Sequence, residues 1–199
     1  MTDTHSDPGA APKGAAEAAP PLTALLQASF PQSVTAHHRQ HGDETVTIRR
    51  EGMVELFRFL RDDPRCAFDL MIDLTAVDYL PRRPRFEVVV HLKSLALNHR
   101  LRVKIPLEEG QEEADSISGL WVAANWYERE CFDMYGIRFA GHPDLRRLLL
   151  YPEFEGHPLR KDYDYRLQQP RVPLRTVRER HDYEMKVQYP GEAKQAKPS

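Results

Sequence analysis

Cysteine is nearly absent: the 199 residues contain only Cys66 and Cys131, far apart in the chain. Neither lies in a Cys-x-x-Cys pair or beside a matching pair of histidines, so the spacing supports no zinc site. A cysteine-ligated iron–sulfur cluster needs four thiolates, which this chain cannot supply. Two isolated cysteines fit a reducing compartment, where thiols stay free. There is also no Gly-x-Gly-x-x-Gly loop of the kind that cradles a dinucleotide. No run of about 18 apolar residues occurs, so no segment reads as a membrane span. Charge of one sign is lacking as well. Lys and Arg total 28 against 30 Asp and Glu, a net charge of −2, which gives no global attraction to nucleic acid or anionic lipid. The first residues, MTDTHSDPGAAPKGAAEAAPP, have no basic start followed by an apolar stretch and do not read as a secretory signal. Their Ala/Pro/Gly/Ser bias predicts a disordered leader over residues 1–21.

The middle of the chain has the periodicity of a packed domain. Leu22, Leu25 and Leu26 have helical spacing and predict a first helix ending near Pro31. Val34–Gln40 and Glu44–Arg50 read as strands around a His41–Gly42–Asp43 turn. Met53, Leu56, Phe57 and Leu60 fall on one face of a second helix, closed by Asp63–Pro64. Phe68, Leu70, Ile72 and Leu74 alternate as a strand does. Phe86, Val88, Val90 and Leu92 repeat that pattern, as do Leu101, Val103 and Ile105. The last two strands predict a hairpin turning through Asn98 and His99, with Arg100, Arg102 and Lys104 on the opposite face. Consecutive strands without intervening helices predict an α+β fold: a mainly antiparallel sheet with helices packed on one face over residues 22–140. An irregular C-terminal arm is expected at 141–165, and an extended or disordered tail at 166–199. The acidic stretch from Glu108 to Asp115 holds five carboxylates and reads as a solvated loop rather than a metal site, with Asp115 or Ser116 able to cap the next helix.

That helix is predicted over Ile117–Tyr135. At roughly 100° per residue, Ile117, Leu120, Trp121, Ala124, Tyr127, Cys131 and Tyr135 share a buried face. Glu128 falls inside the same arc. A buried carboxylate without a partner costs several kcal/mol, so a cation is expected beside it, from Arg146, Arg147 or Arg160. Val122, Trp126, Arg129 and Asp133 line the opposite face. Trp and Arg there predict a second contact surface, because both are enriched at interface hot spots. Glu130 and Asp133 are three residues apart and could share a face, but no nucleophile stands beside a histidine. Cys131, on the buried side, reads as an inert thiol.

The stretch GHPDLRRLLLYPEFEGHPLRKDYDY carries Gly-His-Pro twice, at Gly141–Pro143 and Gly156–Pro158. Proline holds the residue before it extended and glycine permits the unusual entering turn, so each tripeptide predicts a sharp corner. His142 and His157 read as structural pins of those corners. The rival reading, a metal hydrolase using His142, His157 and Glu153, lacks a third ligand at fixed spacing. Arg146–Arg147 and Arg160–Lys161 flank the apolar Leu148, Leu149, Leu150, Tyr151 and Phe154, the composition of a protein-docking arm. An RNA-binding adaptor is disfavoured, because the basic residues do not alternate with aromatics on a recognisable sheet.

From Ala124 to Tyr165 the chain closely resembles the signature of the 30-kDa subunit family of the bacterial proton-pumping NADH:quinone oxidoreductase, respiratory complex I. The matching residues are Glu128-Arg129-Glu130, Asp133-Met134-Tyr135-Gly136-Ile137, Gly141-His142-Pro143-Asp144-Leu145-Arg146-Arg147 and Gly156-His157-Pro158-Leu159-Arg160-Lys161-Asp162, with Trp126 just upstream. The resemblance implies a subunit of the hydrophilic arm that carries no flavin, cluster or metal itself. FMN and iron–sulfur clusters would lie in partner subunits. The implied neighbours are the quinone-site subunit and the small cluster-bearing subunit, on the cytoplasmic side of the inner membrane. Attachment to that membrane would be only through the complex. Homologous subunits of an energy-converting hydrogenase or a deazaflavin-dependent dehydrogenase are the nearest rivals.

Overall fold

A computed structural model describes residues 22–172. The expected leader and residues 173–199 of the expected tail lie outside the described residues. The central element is a five-stranded sheet in the order β1-β2-β5-β4-β3. Its strands are β1 (Val34–Gln40), β2 (Asp43–Ile48), β3 (Leu70–Asp78), β4 (Phe86–Ser94) and β5 (His99–Leu107). All neighbours run antiparallel except β2 and β5, which pair in parallel from Glu44↔Leu101 to Thr47↔Lys104. The mainly antiparallel α+β architecture is therefore as the periodicity predicts. Helices α1 (Leu22–Ser29) and α2 (Met53–Asp62) also fall where expected.

Alternation determines the two faces of the sheet. Phe86, Val88, Val90 and Leu92 of β4 are buried with Leu101, Val103, Ile105 and Leu107 of β5, in register across the hairpin. Met53, Leu56, Phe57 and Leu60 of α2 bury their shared stripe in the same core. The opposite face carries the intervening polar residues. Lys104 Nζ donates to Glu87 at 2.8 Å and Arg102 Nε to His91 Nε2 at 2.9 Å. The hairpin turn occupies Leu95–Asn98, and Asn98 takes a positive φ of 50° to close it.

Strand β3 departs from expectation. Its register against β4 shifts between Met71 and Asp73. One extra residue reverses the alternation, so Met71 turns inward while Leu70 and Ile72 face outward. The acidic stretch is also more than a solvated loop. Glu113–Asp115 forms a short strand, β6, parallel to β7 (Arg138–Ala140). Arg50 pairs with Glu113 at 2.5 Å, and Arg83 and Arg85 both pair with Glu109. The next helix, α3, runs Ala124–Tyr135 and is shorter than predicted. Ile117 and Trp121 are buried as expected, but they lie in turns that lead into the helix. Neither Asp115 nor Ser116 caps it: the N-cap position is Ala123, which makes no side-chain cap.

Candidate functional site

Helix α3 lies against β3, where Tyr127 Oη reaches the Ile72 carbonyl and Cys131 Sγ faces the Leu74 carbonyl. Burial pushes the Cys131 thiol well above its usual range and the Cys66 thiol up to about 11, which favours the protonated thiol over the thiolate at both. The first half of α3 holds Glu128, whose side chain is fully buried. Among the described residues no arginine pairs with it, contrary to the sequence expectation. Its Oε1 accepts the Ile117 amide at 2.7 Å and its Oε2 the Ser116 hydroxyl at 2.6 Å. The loop entering the helix thus satisfies the carboxyl with neutral donors. Burial pushes Glu128 up to about 7, against the opposing pull of Ser116 and the amides of Ile117 and Ser118.

The first Gly-His-Pro corner packs beside this carboxyl. Gly141 has φ +80°, the left-handed value the corner needs. His142 Nδ1 accepts the Asp144 amide at 3.0 Å, which leaves the proton on Nε2. Nε2 then donates to the Asn125 carbonyl at 3.2 Å and lies 4.0 Å from Glu128 Oε2. Pro143 is exposed, and Leu145 packs against the core. Asp144 and Arg146 form an exposed pair at 2.9 Å.

The arginine expected at Glu128 instead meets Asp133. The helical wheel places Asp133 on the outward stripe, yet it is fully buried, because the arm covers that stripe. Its Oδ1 accepts Arg147 Nη1 at 2.7 Å. Its Oδ2 accepts three successive amides, from Leu148, Leu149 and Leu150, at 3.0, 2.8 and 2.9 Å. Burial pushes this carboxyl up, but the three amides and Arg147 outweigh it, and it lies below the usual carboxylate range. Arg147 also donates to the Phe154 and Gly156 carbonyls, which closes the arm into a loop around one guanidinium. Arg129 donates to the carbonyls of Arg146 and Arg147 and stacks over Trp126, 5.5 Å from the ring centre.

The second Gly-His-Pro corner caps the helix. The last carbonyls of an α-helix have no partner within it. Here His157 Nδ1 donates to the Asp133 carbonyl at 2.9 Å, the Leu159 amide to Met134 at 3.1 Å and Arg160 Nε to Tyr135 at 2.5 Å. Gly136, at φ +76°, terminates α3, and a Cβ there would lie 2.7 Å from the His157 ring. The two histidines thus pin opposite ends of one helix, and the structure does not bring them together with Glu153 as the hydrolase reading requires. Pro158 is half-buried behind the cap, and Glu130 stands outside the network on the half-exposed side of α3.

The arm ends on a residue that sequence reasoning misses. Arg85 is only 2% exposed and donates through Nε and Nη2 to Asp78, at 3.1 and 2.9 Å. The same guanidinium meets Glu109 and, at 2.7 Å, Asp162. The Lys161 amide donates to Asp78 at 2.8 Å, so two consecutive arm residues are tied to the β3–β4 connection. Arg85 and Arg160 both lie over the Phe86 ring, 4.8 and 4.9 Å from its centre. Burial pushes Asp78 up, but Arg85 and the Lys161 and Leu80 amides bring it down to about 2. The one signal in the sequence is an arginine directly before an alternating strand. The Arg82-Arg83-Pro84-Arg85 stretch reads as an exposed loop from composition alone.

The arrangement fixes shape. Each buried ionisable group of α3 and the arm is bonded to a backbone or side-chain partner in this chain. Among the described residues, no group of three or more His, Cys, Asp or Glu side chains is arranged to hold a metal. Residues 46–169 match the family described as the respiratory-chain NADH dehydrogenase 30-kDa subunit. The chain belongs to this family. It is 50% identical over 142 residues to the C subunit of the NADH-quinone oxidoreductase of Hyphomonas neptunium, covering 71% of this chain and 70% of that one. The same subunit of Roseiflexus castenholzii is 47% identical over 143 residues, covering 72% and 82%. Among solved structures, a trypsin-resistant fragment of Nqo5 is 30% identical with a TM-score of 0.54, covering 62% of this chain and 97% of the fragment. A chain of an archaeal membrane-bound sulfane sulfur reductase shares the fold, with a TM-score of 0.60 at 21% identity, over 89% and 96% of the two chains. The clasp between α3 and the arm falls inside the family match.

Proposed function

We propose that this chain is a positioning subunit of an NADH:quinone oxidoreductase, carrying neither flavin nor cluster. Partner subunits hold the FMN and the iron–sulfur centres that pass electrons to quinone, coupled to proton translocation. The observation that carries this reading is how the signature residues are used. Asp133, Arg147, His142, His157 and Arg160 hold an irregular arm on a helix, Asp162 ties that arm to Arg85, and Glu128 ties the helix to the loop before it. A rigid surface suits a subunit whose task is geometric, because positioning requires side chains locked by packing and second-layer hydrogen bonds. The neighbours that fit are the quinone-site subunit and the small cluster-bearing subunit, on the cytoplasmic side of the inner membrane. Among the described residues no helix is long and apolar enough to cross a membrane, which agrees with attachment through the complex. The test is purification through a tag on this chain. Cluster-bearing subunits and NADH-dependent quinone reduction should come with it, and a tagged chain recovered alone from membranes that retain that activity would overturn the reading.

A further inference from the structure

The clasp leaves one surface unexplained. Val122 is 87% exposed in the turn just before α3, Trp126 63% exposed in the first turn of the helix, and Leu149 63% exposed on the arm that runs along the same stripe. These are large apolar groups on rigid supports: Leu149 is held by the hydrogen bond its backbone N–H donates to Asp133 and Trp126 by the guanidinium of Arg129. Arg129 is itself fixed by two carbonyls, at 3.2 and 3.1 Å, and no carboxylate among the described residues lies within ion-pair distance of it. The acid on its own stripe, Asp133, is saturated by Arg147 and three amides. The result is an exposed indole stacked on a preorganised cation whose charge no acid among the described residues pairs with.

We infer that the Val122–Trp126–Arg129–Leu149 surface is a docking site for a neighbouring subunit of the complex, one presenting an apolar slot for the indole with an Asp or Glu at its edge. This inference rests on the reading of the chain as a subunit. Trp and Arg dominate binding energy where they are held rigid and become desolvated, and a fixed guanidinium fork matches a carboxylate in geometry as well as charge. A second copy of this chain is a poorer occupant: an isologous contact would bring two uncompensated Arg129 charges toward each other.

The test replaces Trp126 with a photo-crosslinking phenylalanine analogue in the full tagged chain, followed by purification of the complex. Irradiation should link position 126 to a peptide of another subunit that contains an acidic residue. In a parallel preparation, Trp126→Asp should lower retention of the chain in the complex under a salt wash by at least about tenfold, while the isolated variant keeps its amide-exchange pattern. If the complex co-purifies but position 126 crosslinks to nothing or only to another copy of this chain, the inference fails and the subunit reading stands. If no complex co-purifies with either chain, both fail.

Discussion

Replacing Asp133 by asparagine tests the clasp at its centre. The carboxylate is fully buried and accepts one guanidinium and three amide hydrogens. Hydrogen bonds to a charged group are worth roughly 1.5–3 kcal/mol and neutral ones about 1, so neutralising the acceptor removes about 1 kcal/mol from each hydrogen bond donated by an amide. The new Nδ2 hydrogens cannot coexist with both Arg147 and the amides, and the cost of about 3–5 kcal/mol typical of breaking a buried pair already contains these weakened hydrogen bonds. A loss of about 3–5 kcal/mol is therefore expected, large against a total of roughly 5–15. The response is expected to be local to the arm, so the assay is amide exchange. The Leu148–Leu150 amides should exchange at least about 100-fold faster in Asp133→Asn, while the β4–β5 hairpin keeps its protection. Asp144→Asn, at an exposed pair, should change little. Protection of residues 148–150 within about threefold of the parent would refute the account, because these amides would then not depend on the charge.

Gly136→Ala should destabilise by about 2 kcal/mol or more in urea unfolding, since alanine there combines a left-handed φ with a clash at the His157 ring. Arg85→Met leaves Asp78 buried without its cation and should cost about 3–5 kcal/mol by the same measurement. The carboxylates titrate in opposite senses. Asp78 is depressed to about 2, so its contribution is full above the ordinary carboxylate pKa and is lost as pH falls toward 2. Glu128 is raised to about 7, so its contribution is full below about 4.5 and is lost as pH rises through 7. Glu128→Gln should flatten that decline between pH 5 and 8 in thermal unfolding, and an unchanged slope would count against the burial of an ionisable carboxyl at 128.

Elements with strong, local periodicity are legible from residue spacing. The α2 stripe and the β4–β5 alternation read directly, because one face of each meets a core and the other meets water. The outward turn of Ile72 does not, because a single bulge reverses alternation without any marker residue. The pairings within the site are not legible from residue spacing. A helical wheel assigns faces from the helix alone, so it gives Glu128 an arginine and Asp133 an exposed position. In the fold, the preceding turn supplies Ser116 and Ile117 to Glu128, and the following arm covers Asp133. Arg85 escapes notice because its three acid partners come from the end of β3, the acidic loop and the arm, a convergence that only tertiary structure creates. At both Gly-His-Pro corners the histidine bonds to a carbonyl of α3.

The central claim is that this chain positions redox centres held by others. Iron, acid-labile sulfide and flavin should be measured on the full chain expressed and purified alone, beside the same chain within its complex. The account predicts none of the three in stoichiometric amount on the isolated chain and all three in the complex. One equivalent of flavin, or of a metal cluster, bound to the isolated folded chain would contradict it.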